Sequence, residues 1–192
     1  MNNKILFIDT ETGGLNPEEH SLLSIALVVW QDLKILDSIE LFINDGVLNV
    51  TEQAIEINKI DIEKHKSNSI TPADAINKIK EFLQTHFTGL DSSKITLAGH
   101  NVNYDVNFLR YFLSKNNESF SSYFSHRVID TSSILYYLFL SGKLEYKALS
   151  SNEAFQLFGI KIEHRHTALG DAVATAELFT KLILLTKKKL KN

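Results

Sequence analysis

Two acidic residues, Asp9 and Glu11, lie two positions apart at the end of the first apolar segment of the sequence. This segment, residues 4–10, is predicted to form a strand. Because residues two apart in a strand share a face, both carboxylates continue the face that carries Ile5 and Phe7. Adjacent carboxylates on a core-facing strand repel each other and lose hydration, so either their pKa values rise or a cation neutralises them. A divalent cation such as Mg²⁺ suits this pair, because hard cations prefer carboxylate oxygens.

Two glycines, Gly13 and Gly14, follow the acidic pair after Thr12. They predict a tight turn or a close approach of the backbone to another group. An alternative interpretation places the two carboxylates on a solvated strand end that runs into an ordinary turn. Other parts of the chain favour the metal site over this alternative.

A third acidic residue, Asp105, lies in the first turn of a helix that is predicted after a short apolar strand. It shares one helix face with the apolar residues three, four and seven positions further on, namely Phe108, Leu109 and Phe112. Ligand sites in open α/β sheets gather beyond the carboxyl ends of the strands, where Asp9, Glu11 and Asp105 are all expected. The alternative is a first-turn aspartate that only complements the helix dipole.

A fourth acidic residue, Asp171, lies near the start of the last predicted helix, for which Thr167 is the expected N-cap. His166 then belongs to the loop before the helix and can turn toward the same pocket. A histidine with its ordinary pKa of about 6.5 is a suitable proton acceptor from a metal-bound water. The apolar residues on the Asp171 face of the helix are Ala174, Leu178, Leu182 and Leu185.

The elements that position these residues follow the order strand meander first, then alternating helices and strands. This order predicts an α/β domain with a mixed five-stranded sheet, antiparallel on one side and parallel where helices cross over. We expect one domain over residues 1–192, with a lysine-rich helix end at 186–192. The predicted strands are 4–10, 22–30, 33–43, 95–98 and 128–130. The predicted helices open at Thr51 and at Thr71-Pro72, and then cover 103–115, 131–140, 146–158 and 167–189.

The amino-acid composition excludes several kinds of site and of protein. The 192 residues include no cysteine, which excludes disulfides and thiolate metal sites. No apolar run is long enough for a signal peptide or a membrane span, so we expect a cytoplasmic protein with no membrane partner. The formal net charge of −3 argues against coating nucleic acid along its length, so any contact with nucleic acid should be local.

Taken together, the motifs resemble the DEDD exonuclease superfamily, and specifically its histidine type, which includes the proofreading epsilon subunits of bacterial replicases and RNase T. The first motif is Asp9-Thr10-Glu11, the second is residues 100–105 (HNVNYD), and the third is His166 with Asp171. The resemblance covers about residues 4–180. It implies a ribonuclease-H-like fold with helices on both faces of the sheet.

The resemblance implies a 3′→5′ exonuclease that releases nucleoside 5′-monophosphates, with single-stranded DNA as the expected substrate in proofreading or repair. Two alternatives stay open. One is an exoribonuclease that trims RNA 3′ ends, and the other is a non-catalytic module that binds nucleic acid or a polymerase. The expected partners are a nucleic-acid 3′ end and either a DNA polymerase subunit or a second copy of the chain.

The family also implies roles for single residues. Asp9, Glu11 and Asp171 would hold one divalent cation, Mg²⁺ or Mn²⁺, and Asp9 would share a second one that Asp105 supports. His166 would take the proton from the attacking water. The catalytic set is therefore Asp9, Glu11, Asp105, His166 and Asp171.

The expected substrate contacts lie next to the first motif. Backbone groups of Thr12 and Gly13 would hold the terminal nucleotide, and Leu15 would wedge against its base. Asn58 stands where many proofreading members have a histidine, which leaves the substrate preference open.

Other polar residues receive structural interpretations. Asp130 is predicted to cap a helix, and His100 and Asn101 to organise the loop before the Asp105 helix. The lysines of residues 187–191 are predicted to form a solvated helix end, with a contact to nucleic acid or a partner as the alternative.

Overall fold

A mixed five-stranded sheet forms the centre of the fold, which the computed structural model describes over residues 4–87, 94–148, 150–162 and 167–188. The sheet order is β3-β2-β1-β4-β5, with β1 (Ile5–Thr12), β2 (Leu22–Gln31), β3 (Lys34–Phe42), β4 (Ile95–Gly99) and β5 (Phe124–Asp130). The first three strands are antiparallel, whereas β4 is parallel to β1 and β5 is parallel to β4. The predicted fold class is confirmed.

The helices of the described ranges follow the predicted start signals. Thr51 and Thr71 act as N-caps, since their hydroxyl oxygens accept hydrogen bonds from Ala54 N and Asp74 N. The helices are α1 (Glu52–Asn58), α2 (Ile62–Asn68), α3 (Pro72–Phe87), α4 (Asn103–Lys115), α5 (Phe120–Tyr123), α6 (Thr131–Leu140), α7 (Ser151–Leu157) and α8 (Ala168–Lys188).

Alternate residues of β1 enter two different hydrophobic clusters, one on each face of the sheet. Leu6 and Ile8 pack with residues of α3 and α4, whereas Phe7 packs with residues of α8. Neighbouring β2 is buried along nearly its whole length, as expected for a strand covered on both sides. Helices therefore cover both faces, and the side of β1 that carries Phe7, Asp9 and Glu11 faces α8.

Helix α8 is buried on two sides. Its sheet-facing side carries the alanines Ala168, Ala172 and Ala176, whose small side chains let the helix approach the sheet closely. The apolar stripe predicted from Asp171 onward is buried too, but it packs against α6 and α7. The helix that carries Asp171 is thus held by both the sheet and its neighbouring helices.

The start of the helix predicted over residues 146–158 is wrong. Residues 146–148 are not helical, and α7 begins only at Ser151. The start is set by a capping box, in which the Ser150 side chain accepts a hydrogen bond from Glu153 N and the Glu153 carboxylate accepts one from Ser150 N. This local cap therefore sets the helix start several residues later than predicted.

Short elements were not predicted. Helices α2 and α5 and the first half of β5 lack a long periodic pattern, so the sequence gives little signal for them. Strand β3 begins at Lys34 because Asp32 and Leu33, both with positive φ, form a two-residue turn after β2.

Within the described ranges, no helix combines the length and the apolar character needed to cross a lipid bilayer.

Candidate active site

Three carboxylates meet at the carboxyl end of β1. Asp9 and Glu11 come from the strand and Asp171 from the first turn of α8, and one oxygen from each lies within 4.8 Å of the others. All three side chains are half-buried. The alternation of β1 toward α8 explains why the two strand residues share a pocket with the helix residue. The grouping predicted from the sequence is confirmed for these three residues.

Two contacts fix the start of α8 beside the strand. Thr167 Oγ1 accepts a hydrogen bond from Gly170 N at 3.1 Å, as predicted for the N-cap. Glu40 of β3 accepts one from Leu169 N through Oε1 at 3.2 Å. Burial raises the pKa of Glu40, and the hydrogen bond from Leu169 N lowers it by a smaller amount. Both contacts place a hydrogen-bond acceptor at the positive end of the helix and so anchor Asp171.

The three carboxylates fit a divalent metal ion. Carboxylate oxygens are the donors that hard cations prefer, and three of them this close repel one another unless a positive charge lies between them. The side chains are also accessible enough for a phosphate to reach the same ion. The arrangement therefore supports metal-assisted hydrolysis of a phosphodiester.

Asp105 approaches the same strand end from the side of α4 and is not part of the three-carboxylate group. Its Oδ1 accepts a hydrogen bond from Thr10 Oγ1 at 2.7 Å. Burial raises the pKa of Asp105 to about 7, opposed by hydrogen bonds from Thr10 and increased by the charge of Asp130. The predicted burial of its helix face is confirmed, because Phe108, Leu109 and Phe112 are all buried.

His166 lies outside the residues that the structure describes, as does the rest of 163–166. Its role as proton acceptor therefore stays a prediction from the sequence. Thr167, the next residue, starts α8 close to Asp171.

A cleft of about 420 Å³ opens next to Glu11. It lies between the end of β1, the turn that follows, α1 and the first turn of α4. Leu15 projects into solvent at its edge with 82% of its surface exposed, and Ile57 of α1 is 61% exposed. Apolar side chains exposed beside a cleft are suited to contact with a base. The lining includes Glu11, Thr12, Leu15, Ile57, Asn58 and Tyr104.

Tyr104 ties the turn after β1 to α4. Its hydroxyl donates to Gly14 O at 2.8 Å and makes a short hydrogen bond with Thr12 Oγ1, which itself lies 2.9 Å from Gly14 O. Burial raises the pKa of Tyr104 and the Thr12 bond lowers it, while the nearby charges of Asp105 and Glu11 raise it further. The phenol thus stays protonated and can act as a donor.

The glycine pair is explained by close packing. A Cβ on Gly13 would lie 2.0 Å from Asn49 O, and one on Gly14 would lie 2.4 Å from the His20 ring. Gly13 N donates to Ser21 O, and Gly13 O accepts from Thr51 N. Both backbone groups of Gly13 are therefore used within the protein, which makes Gly13 a support of the cleft wall in this structure.

Asn58 braces the same wall. It is buried, its Nδ2 donates to Thr12 O at 3.2 Å, and its Oδ1 accepts from Ile60 N. Its side chain thus connects the end of α1 to the residue after Glu11.

The loop before α4 is organised as predicted. Asp130 Oδ1 caps α6 by accepting from Ser132 N, and it also accepts from Asn101 N at 3.0 Å. Thr131 Oγ1 donates to Gly99 O and lies 3.0 Å from His100 Nδ1. His100 and Asn101 therefore hold the β4–α4 loop against the start of α6.

The sequence analysis missed Thr10 and Tyr104. Both are neighbours of predicted ligands, but their partners are 95 and 90 residues away along the chain, which no local pattern reveals. The only signal in the sequence was the position of Tyr104, directly before the predicted ligand Asp105. The structure shows that its hydroxyl contacts the turn after β1.

A sequence model of an exonuclease family, RNase_T, matches residues 6–179. This match covers most of the chain, so the chain belongs to that exonuclease family. The predicted class, an exonuclease, is confirmed, and a non-catalytic binding module is not favoured.

Two relatives show how far the similarity extends. The chain is 28% identical to ribonuclease T of Wigglesworthia glossinidia brevipalpis, over 94% of this chain and 85% of that protein. It is 26% identical to a PolC-type DNA polymerase III of Caldanaerobacter subterraneus subsp. tengcongensis, over 95% of this chain but only 12% of the polymerase. The similarity to the polymerase thus concerns a small part of that protein.

Two solved structures share the fold. Escherichia coli exonuclease I in complex with a dT13 oligonucleotide superposes with a TM-score of 0.80 at 15% identity, over 97% of this chain and 42% of that one. The nuclease domain of 3′hExo, a DEDDh family member bound to rAMP, gives 0.75 at 16% identity, over 95% and 92%. Both confirm the predicted ribonuclease-H-like architecture.

Proposed function

We propose that this exonuclease shortens single-stranded DNA from its 3′ end by metal-dependent hydrolysis and releases nucleoside 5′-monophosphates. The observation that carries the proposal is the three-carboxylate group of Asp9, Glu11 and Asp171 beside an open cleft. The proposed role is proofreading or repair. The similar fold of exonuclease I, solved with a DNA oligonucleotide, supports DNA as the substrate.

The positions of the carboxylates suggest which residues would hold each cation. Asp9, Glu11 and Asp171 would hold one divalent cation, and Asp9 together with Asp105 would serve a second, with Mg²⁺ or Mn²⁺ as the candidates. When bound, two such cations supply the charge stabilisation that in-line phosphodiester hydrolysis requires. Of these carboxylates, Glu11 also lines the cleft, so that charge would lie close to a strand bound there.

The cleft residues would receive the terminal nucleotide. Leu15 stands where it can wedge against the last base, and Thr12 lines the same cleft beside Glu11. Such apolar contacts tolerate every base, as end trimming requires. Asn58 supports the wall through Thr12, so a substrate role for Asn58 and Gly13 would be indirect.

His166 is proposed as the acceptor of the proton from the attacking water. His166→Ala should lose most turnover while binding of metal and strand persists, because the carboxylates and the cleft remain. Turnover close to that of the wild type would remove His166 as the base.

A time course on 5′-labelled single strands tests the proposed function. Matched DNA and RNA sequences would be incubated with Mg²⁺, Mn²⁺ or EDTA, with Asp9→Ala as the control. Stepwise shortening of DNA that EDTA and the variant abolish supports the proposal. Shortening confined to RNA would assign the alternative, trimming of RNA ends, and shortening of neither strand would contradict the proposed activity.

The proposal also covers where the protein works and with which partners. A single exonuclease domain in the cytoplasm, working with a DNA polymerase subunit or as a homodimer, is compatible with the family similarity to PolC-type polymerases and ribonuclease T. Size-exclusion chromatography with light scattering would separate a monomer from a homodimer.

A further inference from the structure

One buried hydroxyl on the strand beside Glu11 makes no hydrogen bond within the part of the chain that the structure describes. It belongs to Ser24 of β2, a residue of which only 1% is exposed. The other strongly buried hydroxyls near the cleft, those of Thr10, Thr12, Ser21 and Thr131, all make hydrogen bonds. Ser24 is therefore an exception that calls for a physical reason.

The pairing of the strands places this hydroxyl beside a metal-ligand candidate. Ser24 lies directly opposite Glu11 in the antiparallel β1–β2 ladder, as Ala26 lies opposite Asp9. Directly opposed residues project from the same face of a sheet, with their Cβ atoms roughly 5 Å apart. Since Glu11 faces α8, so does Ser24, and its side chain lies on the face of the sheet that carries the strand carboxylates.

An unpaired hydroxyl in this position lowers the stability of the metal-free fold, because it loses its water and gains no partner. Alanine would fill the same space without that loss. A serine at such a site is useful only if a partner reaches it in another state of the protein. The ligand candidate directly opposite Ser24 is Glu11, whose side chain rotates about three bonds and would adjust when its carboxylate holds a cation.

We propose that Ser24 is a positioning residue of the metal site, whose hydroxyl donates a hydrogen bond to the Glu11 carboxylate when that carboxylate holds a divalent cation. This inference rests on the metal site of the proposed function. The bond would orient Glu11, since carboxylates that bind metals are commonly held by a second donor behind them. Ser24 would thus reduce the stability of the empty site and increase that of the loaded one.

Ser24→Ala tests the inference with two readouts that do not require turnover. The first is the melting temperature in EDTA, which should rise, because the unpaired hydroxyl is gone. The second is the affinity for Mn²⁺ alone, measured by isothermal titration calorimetry, which should fall by about tenfold. A role that is only structural would not move these two quantities in opposite senses.

Ser21→Ala is the matched control. Ser21 is also buried, but its Oγ accepts a hydrogen bond from Asn49 N at 2.9 Å. This variant should therefore lower the melting temperature in EDTA and leave the affinity for Mn²⁺ unchanged. The two serine variants differ in sign on the first readout and in magnitude on the second.

The outcomes separate this inference from the proposed function. Unchanged Mn²⁺ affinity in Ser24→Ala, or a lower melting temperature in EDTA, overturns the role of Ser24. If the wild type binds Mn²⁺ but shortens no strand, the proposed function fails while the calorimetry still decides the role of Ser24. If the wild type does not bind Mn²⁺, both fail.

Discussion

The two faces of the carboxyl end of β1 differ in the number and the environment of their carboxyl groups. On the α8 side, Asp9, Glu11 and Asp171 crowd together within 4.8 Å. On the α4 side, the single Asp105 is buried and accepts a hydrogen bond from Thr10. The first face gathers three carboxylate oxygens that a shared cation would suit, whereas the second buries one carboxyl group that accepts a hydrogen bond. The same strand end thus separates a cluster of negative charge from a single buried carboxyl group.

The largest effect is expected from neutralising the crowded face. Asp171→Asn should lower the rate of strand shortening by roughly 10²–10³-fold, as removal of one electrostatic stabiliser at a reacting centre does. The same change should raise the melting temperature in EDTA, because it removes like-charge repulsion. Initial rates and thermal melts measure the two effects.

Glu177→Gln is the matched control on α8, since Glu177 is exposed and lies outside the carboxylate group. It should change neither rate nor melting temperature appreciably. A stable but fully active Asp171→Asn would refute the distinction between the two faces.

A second, smaller effect concerns pH on the α4 face. Burial raises the pKa of Asp105 from 3.8 to about 7, so this group stabilises the metal-free fold fully below the unfolded pKa. That stabilisation is lost as the pH rises from the unfolded value through the folded one, because the buried carboxyl must then ionise. Asp105→Asn cannot ionise, so its melting temperature in EDTA should gain on that of the wild type between about pH 5 and about pH 8.

Thermal melts of the wild type and of Asp105→Asn in EDTA, recorded across this pH range, measure the difference. An advantage of Asp105→Asn that stays constant with pH would mean that Asp105 titrates near its ordinary value and is not set apart by burial.

The smallest effect is expected at the cleft wall. Tyr104→Phe keeps the ring that packs on Phe108 but loses the hydroxyl that holds Gly14 and Thr12. Loss of a hydrogen bond of about 1 kcal/mol should raise the KM for the strand by roughly fivefold, with kcat nearly unchanged, because the carboxylates are untouched. Steady-state kinetics on a labelled strand measures the split.

Tyr111→Phe, on the same helix, is the control. Its hydroxyl makes only a long contact of 3.4 Å with Glu18 O, so its loss should leave KM as it is. Equal effects of the two tyrosine variants would argue against a specific role of Tyr104.

The sequence predicted those parts of the site that depend on local periodicity. Two-residue alternation placed Asp9 and Glu11 on the face of β1 that carries Phe7, which the structure packs against α8, and side-chain capping signals located Thr167 and Asp130. What could not be predicted depends on contacts across the chain. The bonds from Thr10 to Asp105 and from Tyr104 to Gly14 join segments that are 95 and 90 residues apart.

The unpaired Ser24 was equally beyond prediction, because its position opposite Glu11 follows from strand register. The start of α7 shows the converse, since it is set by a local capping box of Ser150 and Glu153 that the prediction of a helix from residue 146 did not use. His166 lies outside the described residues, and its role still rests on the motif.

The alanines of α8 have a consequence for the choice of ion. Ala168, Ala172 and Ala176 lie between the helix and the sheet, so their volume sets how far Asp171 stands from Asp9 and Glu11. Mg²⁺ requires oxygen ligands at about 2.0–2.1 Å, whereas Ca²⁺ accepts about 2.3–2.6 Å. The methyl groups on the sheet-facing side of the helix would therefore act as spacers for the coordination site, and a larger side chain there would change ionic selectivity without altering a ligand.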